Sequence, residues 1–209
     1  MSVKITWHGH SCYTFEKDGY VIAVDPYDSE QLPGYTPLEL QANEVLTSHE
    51  HYDHNYLDAV TVTAFAGKSP FSLRVIESFH DDTGGSQRGN NRIHLIEAEG
   101  TVFAHFGDYG QAELTRAQQD AIGKCDVLII PVGGHYTIDA EKAAEIVKLL
   151  CADVVIPAHY RFDGHGPEVI SGIDPFLELA GGEIVKYPNN SIVIDDKTNP
   201  HVAVLSFED

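Results

Sequence analysis

A run of seven residues concentrates side chains that bind metal ions: Ser48-His49-Glu50-His51-Tyr52-Asp53-His54. Imidazole nitrogens and carboxylate oxygens are donor atoms for Zn²⁺, and also for Mn²⁺ or Fe²⁺. In an extended backbone, residues two positions apart point to the same side, so His49 and His51 can converge on one ion. Asp53 and His54 follow where the chain is expected to turn, and they can face a second ion beside the first. A solvated, histidine-rich loop is the alternative, and the spacing disfavours it.

Three further histidine and aspartate residues follow the ends of predicted strands. His80 ends one strand, Asp108 lies just past a hairpin strand, and His159 lies just past a buried strand. Each residue alone is more typical of a turn carboxylate or of a hydrogen-bonded core histidine. Loops at strand ends carry chemistry on a rigid scaffold. Together with the main run, we therefore expect all three residues to act as metal ligands.

The elements that would position these residues are predicted from hydrophobic periodicity and turn signals. Strands are predicted at 3–7, 12–16, 20–25, 44–48, 74–79, 92–97, 101–106, 126–132, 153–157, 183–186, 191–194 and 202–207. Helices are predicted at 113–122, at 139–150 with Asp139 as its cap, and within 173–180. Within the predicted strand 126–132, every residue after Asp126 is apolar, which is typical of a buried parallel strand. This order of elements favours an α/β layered fold with mixed sheets.

The composition indicates the class of partner. The chain has 209 residues, of which 43% are hydrophobic, and this fits one domain, 1–209, with a packed core. Lys and Arg total 13 against 32 Asp and Glu, and the formal net charge of -19 repels phosphate backbones and anionic membranes. We therefore expect a small-molecule substrate, and neither nucleic acid nor a membrane, as the partner. The sequence does not specify the oligomeric state, and a homo-oligomer is one possibility.

The compartment follows from what the sequence lacks. The N-terminus has no long apolar segment of the kind found in signal peptides, and the longest apolar run is too short to span a bilayer. The three cysteines are widely spaced without a CxxC pair, which is typical neither of a disulfide framework nor of a zinc ribbon. We therefore expect a cytoplasmic protein.

Short segments along most of the chain, the metal-binding run among them, resemble the metallo-β-lactamase superfamily. They are Thr6-Trp7-His8-Gly9-His10-Ser11, Ala23-Val24-Asp25-Pro26, the run 49–54, Ser78-Phe79-His80, Gly107-Asp108-Tyr109-Gly110, 130–134 with 137–139, and Pro157-Ala158-His159. Within the superfamily, the chain is similar to the branch that includes L-ascorbate-6-phosphate lactonase and uncharacterised metal-dependent hydrolases. The resemblance implies an α/β (α+β) fold, a four-layer αββα sandwich with the metal ions at one edge of the two sheets.

The resemblance also implies a role for each candidate ligand. The ligands are His49, His51 and His80 for the first ion, Asp53, His54 and His159 for the second ion, and Asp108 as the bridge between the two. All of these positions are filled, which argues against a degenerate, metal-free member. The implied cofactor is a pair of divalent ions, Zn²⁺ first, with Mn²⁺ or Fe²⁺ as alternatives.

From such a pair of ions we expect a metal-dependent hydrolase that acts on a small ester, lactone or phosphoester. Two ions that share a water lower the pKa of that water toward neutrality and so supply a hydroxide nucleophile. We expect Asp53 and Asp108 to serve catalysis within this site. His135, after Gly133-Gly134, is predicted to donate to an oxyanion or act as a general acid, and the alternative is a loop histidine near the site.

Several neighbours of these residues have candidate supporting roles. Asp25 is predicted to orient a ligand histidine through its ring N–H, and the alternative is a polar strand-end residue before Pro26. His10 is predicted to support the metal edge from behind the ligands, and the alternative is a buried turn histidine. Tyr109, Tyr136 and Tyr160 are candidates for pocket lining. The remaining histidines, His94, His105, His165 and His201, are interpreted as structural, and His8, like His135, lies outside the general motif of the superfamily.

Other functions are open to a protein with this ligand set. Redox chemistry is disfavoured because diiron members of the superfamily carry an acid at the position of His51. A nuclease is disfavoured by the net charge of -19, whereas a small-molecule phosphodiesterase is compatible with it. The alternative outside enzymology is a metal-binding protein that keeps the fold without turnover, since ligands alone do not prove catalysis.

Overall fold

A computed structural model describes residues 2–208. Its strands are β1 (Ser2–Trp7), β2 (Tyr13–Lys17), β3 (Tyr20–Val24), β4 (Leu40–Ala42), β5 (Glu44–Leu46), β6 (Val60–Val62), β7 (Ser72–Phe79), β8 (Asn90–Ala98), β9 (Thr101–His105), β10 (Val127–Pro131), β11 (Val154–Ala158), β12 (Ile184–Lys186), β13 (Ser191–Asp195) and β14 (His201–Val204). Its helices are α1 (Arg116–Ile122), α2 (Ala140–Leu150) and α3 (Asp174–Ala180), and a single 3-10 turn lies at Leu57–Ala59.

The strands pair into three sheets. A five-stranded sheet has the order β13-β1-β2-β3-β5, a seven-stranded sheet has the order β12-β14-β11-β10-β9-β8-β7, and β4 pairs with β6. Alternation fixes the register of the first sheet, since Val3, Ile5 and Trp7 of β1 face inward and Ile5 pairs with Phe15. The predicted mixed α/β fold class is confirmed by this arrangement.

The hydrophobic core joins the two large sheets. Phe15 of the five-stranded sheet meets Phe103 of the seven-stranded sheet edge-on, with ring centres 5.8 Å apart. The five residues of β10 are all buried, because this strand is covered on one face by the core and contacts α2 on the other. The predicted buried parallel strand is confirmed, since β10 runs parallel to both β9 and β11.

Two of the helices, α1 and α2, begin where capping side chains satisfy free backbone N–H groups. The side chain of Asp139 accepts a hydrogen bond from the N–H of Lys142, so α2 begins at Ala140 as predicted. The predicted start of α1 at residue 113 is wrong by three residues. Thr115 and Gln118 form a reciprocal capping box, which makes Arg116 the first helical residue. Within residues 2–208, no helix is long and apolar enough to cross a bilayer.

The small sheet of β4 and β6 was not predicted. Each strand has only three residues, which is too short to display an alternating pattern. Small side chains let the pair pack closely on the five-stranded sheet, where Ala42, Ala59 and Val60 form a cluster with Ala23. This sheet therefore covers β3 on the face away from the main core.

Strand direction brings the ends of alternate strands to one edge of each sheet. β1 and β3 point the same way because both are antiparallel to β2, and β5 is parallel to β3. β7 and β9 point the same way because both are antiparallel to β8, and β10 and β11 are parallel to β9. The loops that follow these strands therefore open at the carboxyl edges, the usual place for ligand sites in α/β folds.

Candidate metal centre

The predicted ligands lie on loops at these carboxyl edges. The run 49–54 follows β5, His80 follows β7, Asp108 follows β9 and His159 follows β11. The five-stranded sheet supplies the run, and the seven-stranded sheet supplies the other three residues. The structure thus brings together residues that are up to 110 positions apart in the sequence.

The first group of side chains contains His49, His51 and His80. One ligand atom from each residue lies within 4.8 Å of the others. The ring centre of His49 lies 4.6 Å from that of His51 and 4.7 Å from that of His80. His49 and His80 are buried, whereas His51 is exposed and marks the open side of the group. Three imidazoles that converge from one side leave further positions for a water or a substrate atom.

The second group contains Asp53, His54 and His159, and it also contains His10. One ligand atom from each of these residues lies within 4.8 Å of the others. His10, His54 and His159 are fully or almost fully buried, and Asp53 is partly buried. The predicted members of this group therefore lie together, and His10 adds a fourth donor that was predicted only to support them.

Asp108 lies between the two groups. Its Oδ2 atom lies 3.3 Å from Nε2 of His80 and 3.3 Å from Nε2 of His159, and its Oδ1 atom lies 3.0 Å from Nε2 of His54. One carboxylate therefore touches an imidazole of the first group and two imidazoles of the second. Asn91 fixes its backbone by accepting a hydrogen bond from the Asp108 N–H at 3.0 Å.

The buried donor atoms of the cluster fit divalent cations. Among the described residues, Nε2 of His49, Nε2 of His54 and Oδ1 of Asp108 have no hydrogen-bond partner of suitable geometry. Burying a polar atom without a partner costs about 1–3 kcal/mol. Several unpartnered atoms in one place are therefore unusual for a purely structural cluster. Imidazole and carboxylate donors facing one another are the ligand set of Zn²⁺, Mn²⁺ and Fe²⁺ sites.

Asp25 orients two of the candidate ligands from behind. Its carboxylate accepts hydrogen bonds from the Ser48 N–H at 2.6 Å and from the Ser48 hydroxyl at 2.7 Å, and it lies 2.8 Å from Nδ1 of His54. Because the Ser48 hydroxyl donates to Asp25, its oxygen can accept from Nδ1 of His49 at 3.0 Å. Both rings then present Nε2 lone pairs to the centre. Of the two interpretations of Asp25, the structure supports the orienting role.

Burial and charge set the protonation of these groups. Burial alone would raise the pKa of Asp25, but His54, His105 and His49 lower it to about 2, so Asp25 is a carboxylate at neutral pH. Burial and then the neighbouring His54 lower the pKa of His49 to about 3. His49 is therefore a neutral imidazole with a lone pair available for a cation.

The field at His54 favours positive charge. Burial opposes the charged form of this imidazole, but Asp108, Asp53 and Asp25 together raise its pKa well above the ordinary value. Three carboxylates around one buried imidazole, Asp25 at Nδ1 and Asp108 and Asp53 at Nε2, create a strongly negative potential. The same potential would favour a divalent cation at this point, which would also displace the proton from Nε2.

Strained backbone surrounds the cluster. His10, Asp25 and His159 have φ angles of 49°, 51° and 50°, in the left-handed region. This conformation costs a non-glycine residue about 1–2 kcal/mol. Such strain persists where surrounding contacts hold it, and it concentrates at functional sites. Here it places His10 and His159 at the centre, and Asp25 behind it, on loops that turn at strand ends.

Gly107 lets two ligand-bearing loops approach each other closely. Its φ is 54°, and a Cβ atom added to it would overlap with the Ser48 side chain and with Oδ1 of Asn91. Ser48 precedes His49, and Gly107 precedes Asp108, so this contact sets the separation of the first group from the carboxylate. Only glycine meets both the conformational and the steric demand.

The other predicted residues lie outside the buried cluster. His135 is exposed and lines a neighbouring cavity of about 310 Å³, so its catalytic role stays a prediction. Tyr136 lines the cavity at the cluster, as predicted. The same prediction is wrong for Tyr109 and Tyr160, which are buried in the hydrophobic core. Each of the four histidines that were interpreted as structural lies within hydrogen-bond distance of a backbone carbonyl oxygen. The pairs are His94 with Thr47, His105 with Ser11, His165 with Phe162, and His201 with Asn199.

A cavity of about 240 Å³ opens directly onto the cluster. It is lined by His51, Tyr52, Asp53, His80, Arg88, Asp108, Tyr136 and Pro167. The sequence did not single out Arg88, although it is one of 13 Lys and Arg residues in an acidic chain and lies in a glycine-rich loop after His80. The scarcity of positively charged residues in the chain and the position of Arg88 in this loop were the signals that could have identified it.

The fold and the cluster together define a metal-binding α/β protein of the metallo-β-lactamase type. The model of the family described as a beta-lactamase superfamily domain matches residues 4–159, more than half of the chain. The chain therefore belongs to this family.

Relatives and solved structures agree with this assignment. A UPF0173 metal-dependent hydrolase of Thermoplasma volcanium is 27% identical over 196 residues, covering 77% of this chain and 85% of that protein. A crystal structure from Thermotoga maritima, assigned to a Zn-dependent hydrolase of the metallo-β-lactamase superfamily, has a TM-score of 0.74 and 29% identity, covering 99% of this chain and 100% of that chain. Igni18, described as a metallo hydrolase of Ignicoccus hospitalis, has a TM-score of 0.64 at 23% identity, covering 94% of this chain and 100% of that chain, a likeness of fold alone. The predicted superfamily, its αββα fold and the enzyme class of metal-dependent hydrolase are confirmed.

Replacing Gly107 by alanine tests the close approach of the two loops. We expect Gly107→Ala to lower the free energy of unfolding by roughly 1–3 kcal/mol more than Gly100→Ala, because overpacking adds to the backbone strain. Gly100 is the matched control, since its φ of 84° is also left-handed and nothing lies within 4 Å of its added Cβ. Urea unfolding of both variants measures the difference, and equal losses would contradict the steric argument.

Removing one acceptor oxygen of Asp25 tests its orienting role. Asp25→Asn has the same shape, but its one acceptor oxygen cannot replace both Oδ1, which accepts from the Ser48 N–H, and Oδ2, which contacts the Ser48 hydroxyl and Nδ1 of His54. We expect the affinity for Zn²⁺ to fall about 10–100-fold, the usual effect of losing a partner that orients a ligand. Competition with a chromophoric chelator measures the affinity. Glu141→Gln, at an exposed position of α2, is the control, and an affinity equal to that of the control would show that Asp25 does not orient the ligands.

Proposed function

We propose that this chain hydrolyses a small ester, lactone or phosphoester with the help of two divalent cations, Zn²⁺ in the first instance. The proposed ligands are His49, His51 and His80 for one cation, Asp53, His54 and His159 for the other, and Asp108 for both. The observation that carries the proposal is the position of Asp108, whose carboxylate contacts imidazoles of both groups within 3.3 Å. The names of the relatives, metal-dependent hydrolases, support the same reaction class.

The residues of the chain prepare the site for this chemistry. The histidines and aspartates of the two groups would hold the cations, which would supply a hydroxide nucleophile near neutral pH and Lewis-acid activation of a carbonyl or phosphoryl oxygen. The Asp108 carboxylate holds the two groups at one separation. His49 stays neutral and keeps a lone pair, because burial lowers its pKa. Asp25 and Ser48 fix the rings behind the centre, so little reorganisation is needed when charge develops.

The cavity suits a small substrate. Its volume of about 240 Å³ is slightly below the usual range for drug-sized ligands, and the exposed His51 lies at its open side. The net charge of -19 opposes long polyanions such as nucleic acids, so we keep nucleic acid and membranes out of the proposed partners. A single anionic group is a different matter, because one well-placed cation can hold it locally.

Arg88 supplies such a cation at the rim of the cavity. Asp81 fixes its loop by accepting hydrogen bonds from the N–H groups of Gln87 and Arg88, at 2.9 Å and 2.7 Å. The guanidinium lies over the ring of Tyr136, 5.8 Å from its centre. Among the described residues, no carboxylate pairs with it. The planar guanidinium is thus free to hold a carboxylate or phosphate group with two parallel hydrogen bonds.

This arginine favours a second candidate within the same reaction class. A phosphodiester carries its anionic oxygens at the reacting centre, within reach of a guanidinium at the cavity rim. A small-molecule phosphodiesterase is therefore the alternative, and it uses the same ligands. The third candidate is a metal-binding protein without turnover. Replacement of His51 and of Arg88 distinguishes the three candidates.

Replacement of the exposed ligand His51 tests the hydrolase assignment. We expect the wild type, loaded with Zn²⁺ or Mn²⁺, to turn over at least one member of a panel of lactones, carboxylic esters and phosphodiesters. His51→Ala should lower kcat/KM by about 100-fold or more, the size of effect seen when a group that stabilises the transition state is lost. His201→Ala is the control, since His201 contacts Tyr187 far from the cluster. Full metal loading without turnover of any panel member would favour the metal-binding protein.

Replacement of Arg88 tests the preference for an anionic substrate. We expect Arg88→Gln to raise KM about tenfold for substrates with a carboxylate or phosphate group, equivalent to ~1.4 kcal/mol, and to leave neutral substrates nearly unchanged. Arg88→Lys should restore part of the effect. Arg92→Gln is the matched control, because Arg92 is also half-buried nearby but lies 3.9 Å from Glu50. An equal rise in KM for neutral and anionic substrates would remove Arg88 from substrate recognition.

A further inference from the structure

His10 is a fully buried histidine held in place by its backbone. It lies three residues after β1 with a φ of 49°, and its side chain has no solvent exposure. Its N–H donates to the Tyr35 hydroxyl at 3.1 Å, and its carbonyl accepts from the Trp7 indole N–H at 3.1 Å. The peptide groups of His10 are therefore satisfied, and the loop fixes the direction of the ring.

The ring of His10 lacks the hydrogen bonds that a buried imidazole needs. Among the described residues, neither Nδ1 nor Nε2 has a hydrogen-bond partner of suitable geometry. A neutral imidazole has one donor and one acceptor, and buried polar atoms are nearly always paired. The other buried histidines outside the cluster follow this rule: His94 contacts the Thr47 carbonyl and His105 the Ser11 carbonyl. Packing alone therefore does not account for the burial of the His10 ring.

The surroundings of the ring are metal donors. Nε2 of His10 lies 3.4 Å from Oδ2 of Asp53, and the ring centre lies 4.2 Å from that of His159 and 5.4 Å from that of His54. The ligand atoms of these four residues lie within 4.8 Å of one another. One element of the fold accounts for this, because β1 points the same way as β3 and so delivers His10 to the same edge.

A hydrogen bond to Asp53 explains this geometry less well than a shared cation does. The contact of 3.4 Å is longer than the usual 2.7–3.2 Å of such bonds, and its angles are unsuitable. In contrast, two donors that each lie about 2.0–2.1 Å from one shared ion are roughly 3–3.5 Å apart. Coordination would also use the lone pair of a buried, neutral imidazole.

We propose that His10 is a direct ligand of the second cation, alongside Asp53, His54 and His159. This inference rests on the proposed function, because it needs the second of the two cations. With Asp108 in reach, the second cation then has more protein donors than the first. Open positions for substrate fall chiefly on the first cation, beside the exposed His51.

The backbone of His10 determines which variants can test the proposal. Glycine adopts a φ of 49° without strain and removes the ring, so His10→Gly is expected to keep the fold. His10→Asn is a second variant, since asparagine also tolerates the left-handed region. His8→Gln is the matched control, because His8 lies in the same segment but contacts Thr14 through Nε2 at 2.9 Å.

Scalar coupling between histidine ¹⁵N and bound ¹¹³Cd²⁺ detects direct coordination, since such coupling passes only through a bond. In wild-type protein loaded with two equivalents of ¹¹³Cd²⁺, we expect coupled ring nitrogens from six histidines, three in each group. The signal of His10 should disappear in His10→Gly and persist in His8→Gln. Chelator competition should show the second Cd²⁺ bound more than about 100-fold more weakly in His10→Gly, beyond the usual effect of an outer partner.

Two results would overturn the proposal, and they are distinguishable from each other. Two bound Cd²⁺ ions with coupling from only five histidines, His10 not among them, would remove His10 as a ligand and leave the proposed function intact. Binding of no second ion by the wild type would remove both the ligand role and the dinuclear function. Because the wild-type spectrum decides between these outcomes, the test stands even if His10→Gly fails to fold.

Discussion

The buried carboxylate of Asp108 is the contact on which the centre depends. It lies within 3.3 Å of imidazoles that belong to two separate groups. Each group combines residues from loops of both large sheets. A carboxylate in such a place needs positive charge nearby, and the imidazoles around it hold its pKa well below the ordinary value despite burial. The rest of the fold can be understood as the means of keeping these donors close together.

Strand direction provides most of that positioning. Alternate strands of each sheet point to one edge, so the residue after each of them is delivered to the same region. Left-handed backbone at His10 and His159 places two side chains at the centre, and left-handed backbone at Asp25 places its carboxylate behind His54. Gly107 allows the final close approach of two loops. Local strain is offset by the packing of the two sheets and, in the proposed function, by metal binding.

The sequence was informative where chemistry is local. The run 49–54 carries its own spacing, and His80, Asp108 and His159 stand at strand ends that apolar runs predict. The α1 start and the three-residue strands β4 and β6 were harder, because capping and very short strands leave little periodic signal. Arg88 was missed although its positive charge in an acidic chain was a signal, and the position of the His10 ring among the ligands could not be predicted. Their roles depend on which loops meet in space, and that is a property of the tertiary fold.

A crystal structure of the protein soaked with Zn²⁺, with anomalous difference density recorded at the zinc edge, tests the central claim most directly. The account predicts two peaks, one on each side of the Asp108 carboxylate, with His49 beside one peak and His54 beside the other. An absence of density at this cluster in protein that carries Zn²⁺, or a single ion bound elsewhere on the surface, would contradict it.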